Sequence, residues 1–131
     1  MKPINLLSCN GLRGFCAERP WCTRLLAVVR SLALPDDVHG FGHVVRVACM
    51  AYNIAVAEYG DGVDLNLVVA AALLHDVGRA AERPGLHHAV ASAEAAKAIL
   101  PGVGAPVDPE AVARIILEHS FSLGGRPGSP E

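Results

Sequence analysis

Leu73-Leu74-His75-Asp76-Val77-Gly78-Arg79 is where a long apolar segment runs into a histidine and an aspartate. Upstream, Val63 to Leu74 is interrupted only by Asp64 and Asn66, a pattern expected of a helix buried on most sides. Gly78 stands where a left-handed residue just past the end of that helix is expected. The aspartate is badly placed for a helix C-terminus. That end already carries partial negative charge, and an added carboxylate costs a few tenths to about 1 kcal/mol even when exposed. Burial raises the cost unless a partner neutralises the charge. A pairing of Asp76 with Arg79 or Arg46 is one answer. A metal cation satisfies both residues of the doublet at once, because His75 and Asp76 offer adjacent nitrogen and oxygen ligands suited to manganese, iron, cobalt, nickel or zinc.

Outward from this stretch the chain reads as helices separated by turns. Residues 1–20, with Pro3, Gly11, Gly14 and Pro20, show no period and are expected to form an irregular arm. Trp21 to Leu34 is a first helix closed by Pro35, and Asp36 to Gly42 is a turn. A long helix from near Phe41 to Tyr59 follows, with Val44, Val47, Ala48, Ala51, Ile54 and Ala55 at three- and four-residue spacing. After Gly60-Asp61-Gly62 comes the buried helix of residues 63–76, then a loop with Pro84-Gly85. His87 to Leu100 is the next helix, expected to stop at Pro101-Gly102. Asp108-Pro109-Glu110 opens the last one, with Asp108 as N-cap and Pro109 in the first helical position, ending near His119 or Ser120. Residues 124–131 are expected to be a flexible tail. The expectation is one all-α domain over residues 21–123, a compact bundle of about five helices.

Composition agrees. At 131 residues, 52% hydrophobic and 5% aromatic, the chain suits a closely packed helical domain that buries about two-thirds of its unfolded surface. A net charge of -2 with no basic run argues against nucleic acid or an acidic membrane as partner. No segment reaches the 18 or so apolar residues of a membrane span, and a cytoplasmic location is expected. Cys9, Cys16, Cys22 and Cys49 contain no C-x-x-C pair, so neither a zinc ribbon nor a thioredoxin-like site is indicated. Reduced thiols are expected, with an N-terminal disulfide left open by three cysteines within the first 22 residues.

The histidines sit at helix ends. His43 lies in the first turn of the long helix with Arg46 three residues on, His75 closes the buried helix, His88 opens the next with Ser92 one turn later, and His119 closes the last. If these ends gather at one end of the bundle, the side chains converge on a single cavity, where bundles build metal sites. His39 and His87 read rather as solvent-facing or turn-stabilising residues.

The ordered set His39-Gly-Phe-Gly-His43-Val-Val-Arg46, Ala72-Leu-Leu-His75-Asp76-Val-Gly-Arg79, His88-Ala-Val-Ala-Ser92 and Ile116-Leu-Glu-His119-Ser120 resembles the HD-domain metal-dependent phosphohydrolases over roughly residues 36–123. The resemblance implies His43, His75 and Asp76 as metal ligands. It implies that His88 and His119 line a phosphate site or bind a second ion, with Arg46 and Arg79 as phosphate or structural contacts. The implied activity is hydrolysis of a phosphate ester of a nucleotide or other small phosphorylated metabolite. By this resemblance a metal held by these residues would activate a water to attack phosphorus, Asp76 would help to orient it, and His88 and His119 would stabilise the charge that develops. One or two divalent transition-metal ions would serve. The family pattern also includes a further aspartate ligand downstream, and here no aspartate follows His119. Glu118, a water or a second chain are the possible substitutes. The alternative is a catalytically impaired HD scaffold that acts as a nucleotide-binding or regulatory module. A homodimer is expected where apolar helix surface is left uncovered.

Overall fold

The apolar segment before His75 forms helix α4 (Leu65–Leu74) in the computed structural model, which describes residues 9–33, 40–60, 64–78 and 87–124, with side chains to 118. Asp64 opens it, its carboxylate accepting the Leu67 amide at 3.2 Å. Val69, Ala70, Leu73 and Leu74 are fully enclosed, because α4 packs against four other helices: α2 (Pro20–Leu32), α3 (Phe41–Tyr59), α5 (His88–Val103) and α6 (Pro109–Gly124). A helix apolar on every side is stable only with neighbours on every side, and that requirement makes α4 the axis of the bundle. The described residues contain helices and no strand, as expected for an all-α fold. None of these helices is long and apolar enough to cross a membrane.

Three expectations are corrected. The first concerns the arm: residues Asn10–Ala17 form a sixth helix, α1, packed on α2 and α3. Leu12, Phe15 and Cys16 are buried in the common core. Phe15 meets the Trp21 ring edge-on at 6.2 Å and the Tyr52 ring at 5.5 Å, and the Arg19 guanidinium covers its face at 3.8 Å. Gly11 is no helix breaker. A Cβ at this position would lie 2.7 Å from the Tyr52 ring, so the glycine lets α1 lie close against α3.

Second, the cysteines are paired rather than reduced. Cys9–Cys49 ties α1 to α3, and Cys16–Cys22 ties α1 to α2. Third, α5 does not stop at Pro101 but continues to Val103, with Pro101 inside its last turn. It ends in a Schellman arrangement: Gly104 adopts φ 76°, its amide donates to the Pro101 carbonyl, and the Ala105 amide donates to the Leu100 carbonyl. The Arg24 guanidinium donates to the Val103 carbonyl at 2.7 and 3.0 Å, satisfying a helix-end acceptor from across the bundle.

The remaining boundaries lie close to expectation. α3 has the expected ends, α2 stops two residues early, and α6 opens with Asp108 accepting the Glu110 amide at 3.0 Å. α6 runs to Gly124, past His119 and Ser120. The turn at 36–39, the Pro84-Gly85 loop and the tail from 125 lie outside the described residues.

Candidate metal centre

Three helix ends meet at Asp76. α4 delivers His75 and Asp76 at its C-terminus, α3 delivers His43 in its first turn, and α5 begins at His88. The Asp76 side chain is 6% exposed, and its two oxygens have different neighbours. Oδ2 lies 3.4 Å from His75 Nε2 and 3.9 Å from His43 Nε2, while Oδ1 lies 3.9 Å from His88 Nε2. The His43 and His75 rings are 6.1 Å apart, tilted by 55°. The awkward position of the aspartate is thereby eased. It ends a helix whose dipole opposes it, and imidazoles from the first turns of α3 and α5 reach its two oxygens.

His75 is set for ligation by its backbone. Nδ1 lies 2.6 Å from the Ala72 carbonyl, and since a carbonyl only accepts, Nδ1 carries the hydrogen. Nε2 is then the electron-donating nitrogen of the neutral ring, on the side of Asp76. Ala72 contributes one of the helix-end carbonyls that lack an intrahelical donor, so the same bond closes α4 and fixes the tautomer. His43, His75 and Asp76 each offer one ligand atom, all within 4.8 Å of one another, and form such a group of three among the described residues. Two imidazoles and a carboxylate suit a divalent transition metal and leave coordination positions for water or substrate. His88 adjoins the carboxylate but is not in the group.

Gly78 departs from the expected left-handed cap: the positive-φ glycines among the described residues are Gly60 and Gly104. Its role is close approach. A Cβ on Gly78 would stand 2.4 Å from the Ser92 amide nitrogen and 2.5 Å from the Ala91 carbonyl carbon. The Gly78 amide donates to Ser92 Oγ at 2.8 Å, in a fully buried contact. Ser92 sits one turn after His88, which is where the sequence could have pointed to it.

The other expected site residues divide plainly. Arg46 is exposed on α3, with its guanidinium beside Gly42. His87 is the N-cap of α5: its Nδ1 accepts the Ala89 amide at 3.1 Å, a structural role that agrees with the turn-stabilising reading. Glu118 is exposed on α6 and outside the three-residue group. Arg79, His39 and the His119 side chain lie outside the described residues. A cavity of about 380 Å³ between α1, α2 and α3 has none of these residues in its wall. Its lining is mainly apolar, with Leu12, Leu26, Phe41 and Val45, and Arg13 and Thr23 are its polar side chains.

The class of molecule so defined is an all-α bundle with two histidines and an aspartate gathered at its helix ends. The family model of the HD domain matches residues 40–131, and the chain belongs to that family. The superfamily is one of metal-dependent phosphohydrolases, and its members generally bind divalent metals. α1 and α2 precede the matched span. No curated protein and no solved structure matches the chain significantly.

Proposed function

We propose that the protein is a metal-dependent phosphohydrolase acting on a nucleotide or another small phosphorylated metabolite. The observation that carries this reading is the gathering of His43, His75 and Asp76, with His75 Nδ1 turned to the Ala72 carbonyl. With Nδ1 committed to the Ala72 carbonyl, Nε2 joins His43 and Asp76 in a group whose ligand atoms lie within 4.8 Å. When bound there, a divalent ion supplies Lewis acidity and makes water a nucleophile near neutral pH. The protein's own part is to position the reactants. Asp76 Oδ2 belongs to the ligand group, and Oδ1, on the His88 side, can accept a proton or hold one in a hydrogen bond. His88, only 15% exposed, donates toward the negative charge that grows on the phosphoryl oxygens. His119, Arg46 and Arg79 are assigned the same anion-binding role by their places in the family pattern.

The purified protein is expected to contain a transition metal and to hydrolyse a generic phosphomonoester with added manganese, cobalt or nickel. Protein that takes up no metal and shows no turnover with any of the three sinks the proposal.

A second reading follows from the ligand count. Three candidate ligands gather among the described residues, and a site held by three protein ligands alone would bind metal less firmly. In that reading the domain binds a nucleotide as a regulatory module without turnover. Stabilisation by nucleotides with no product release favours it over the first.

Two companion expectations belong to the same reading. Met50 and Ile54, 43% and 41% exposed and one turn apart on α3, are the apolar surface that a homodimer would cover, and sedimentation of the full chain checks it. The cytoplasmic location stands against the two disulfides, which are rare in that compartment. Trapping the thiols in intact cells decides between the two.

A further inference from the structure

We propose that Ser92 is a positioning residue, whose buried hydroxyl holds the turn bearing His75 and Asp76 at a set distance from α5. The functional consequence rests on the metal-binding reading above; the clamp itself does not.

Ser92 is fully buried in α5, among Ala89, Ala93 and Ala96. In such a place alanine is the better helix former and brings no hydroxyl to desolvate. A serine inside a helix ordinarily returns its hydroxyl to a carbonyl of its own preceding turn. Whatever its own hydrogen does, Ser92 Oγ accepts the Gly78 amide, 14 residues away in sequence, at 2.8 Å. Packing alone therefore does not account for a serine here.

Gly78 is the other half of the clamp. Its φ is not positive, so no conformational demand calls for glycine. The demand is steric. A Cβ would fall 2.4 to 2.6 Å from Ser92 N, the Ala91 carbonyl carbon and Ala91 Cβ, closer than real side chains come. Backbone meets backbone at this point, and the hydroxyl satisfies the amide that the contact buries. The geometry ties this contact to the site on both sides. Asp76 is two residues before Gly78, and His88 is four residues before Ser92, on the same face of α5. The 3.9 Å separation of Asp76 Oδ1 from His88 Nε2 is thus set by a contact one helical turn away.

The test compares Ser92→Ala with the wild type and with Ile116→Val, a core substitution on α6 that lowers stability and leaves the Gly78–Ser92 bond in place. In metal-free protein, amide exchange at Gly78 is expected to quicken at least about tenfold in Ser92→Ala, as follows from losing one buried hydrogen bond. In Ile116→Val it should quicken by no more than that variant's loss of global stability accounts for. In the same proteins the Mn²⁺ dissociation constant should rise roughly 10–100-fold for Ser92→Ala alone, the usual effect of removing an outer-shell support. Wild-type exchange at Gly78 in Ser92→Ala overturns the clamp. Equal weakening of Mn²⁺ binding in both variants overturns its positioning role. If the wild type binds no Mn²⁺, the metal-binding reading falls, and the exchange measurement still decides the clamp. Should Ser92→Ala fail to fold, Ser92→Cys, of similar size but a weaker acceptor, is expected to quicken Gly78 exchange, and an unchanged rate overturns the proposal.

Discussion

His75 and His87 each commit one ring nitrogen to local backbone, and which atom of the backbone they meet separates their roles. His75 Nδ1 meets a carbonyl and must donate, which leaves Nε2 as the donor of an electron pair toward a cation. His87 Nδ1 meets the Ala89 amide and must accept, so Nε2 carries the hydrogen and is no ligand in that tautomer. The two substitutions should therefore have opposite signatures. His75→Ala is expected to abolish metal binding, exceeding the roughly 10–100-fold loss seen when only an outer-shell partner goes. His87→Ala should leave metal content unchanged and lower stability by about 1 kcal/mol, the worth of an N-cap. Metal analysis and denaturant unfolding of both variants check this, and equal metal content in both would defeat the assignment. At this scale much was legible. A carboxylate at the negative end of an apolar helix demands a partner, and that demand pointed to the candidate site where His43 and His75 gather. What the sequence could not disclose was the tautomer, or why position 78 is glycine, since each depends on an atom brought near only by folding.

Among the elements, α1 was the hardest to foresee. Eight residues give barely two helical turns, too few for a periodic pattern to declare itself, and Gly11 and Gly14 imitate a loop. The reason for Gly11 lies on another helix, in the Tyr52 ring. Cysteine pairing was hidden for the same reason, because Cys9 and Cys49 are 40 residues apart and meet only when α1 docks on α3. Closing a loop of that size lowers the entropy of the unfolded chain by the equivalent of about 4 kcal/mol in the chain-entropy account. Cys9→Ala/Cys49→Ala should accordingly lower the denaturant midpoint of the oxidised protein, with the slope of the transition as the check on any change in the unfolded state. α1, held otherwise by Leu12, Phe15 and the disulfide to Cys22, should show the largest gain in amide exchange. An unchanged midpoint would mean that these two thiols are not joined in solution. By contrast α3, long and amphipathic, and α4, apolar throughout, were plain from their periods alone.

At the scale of the molecule, the centre lies where separate helices end. Its candidate ligands come from α3 and the end of α4, and His88 brings in α5, so their distances exist only in the folded bundle. The gathering of helix ends was legible as a condition, since histidines at helix termini are idle unless those termini meet. The packing of α4 against four neighbours supplies the condition. An ion held by residues from two helices favours the folded state over the unfolded one by mass action, about 2.7 kcal/mol at a hundred times the dissociation constant. For a domain of this size that is roughly a 10 °C rise in melting temperature. Heating metal-stripped protein with manganese, cobalt, nickel, iron or zinc should show the rise, and His43→Ala, whose side chain is one-third exposed, should lose it while melting near the wild type without metal. The second half of that comparison matters most. A rise that persists in His43→Ala would place the ion elsewhere, and no rise with any of the five metals would defeat the metal-binding reading of the three-residue group.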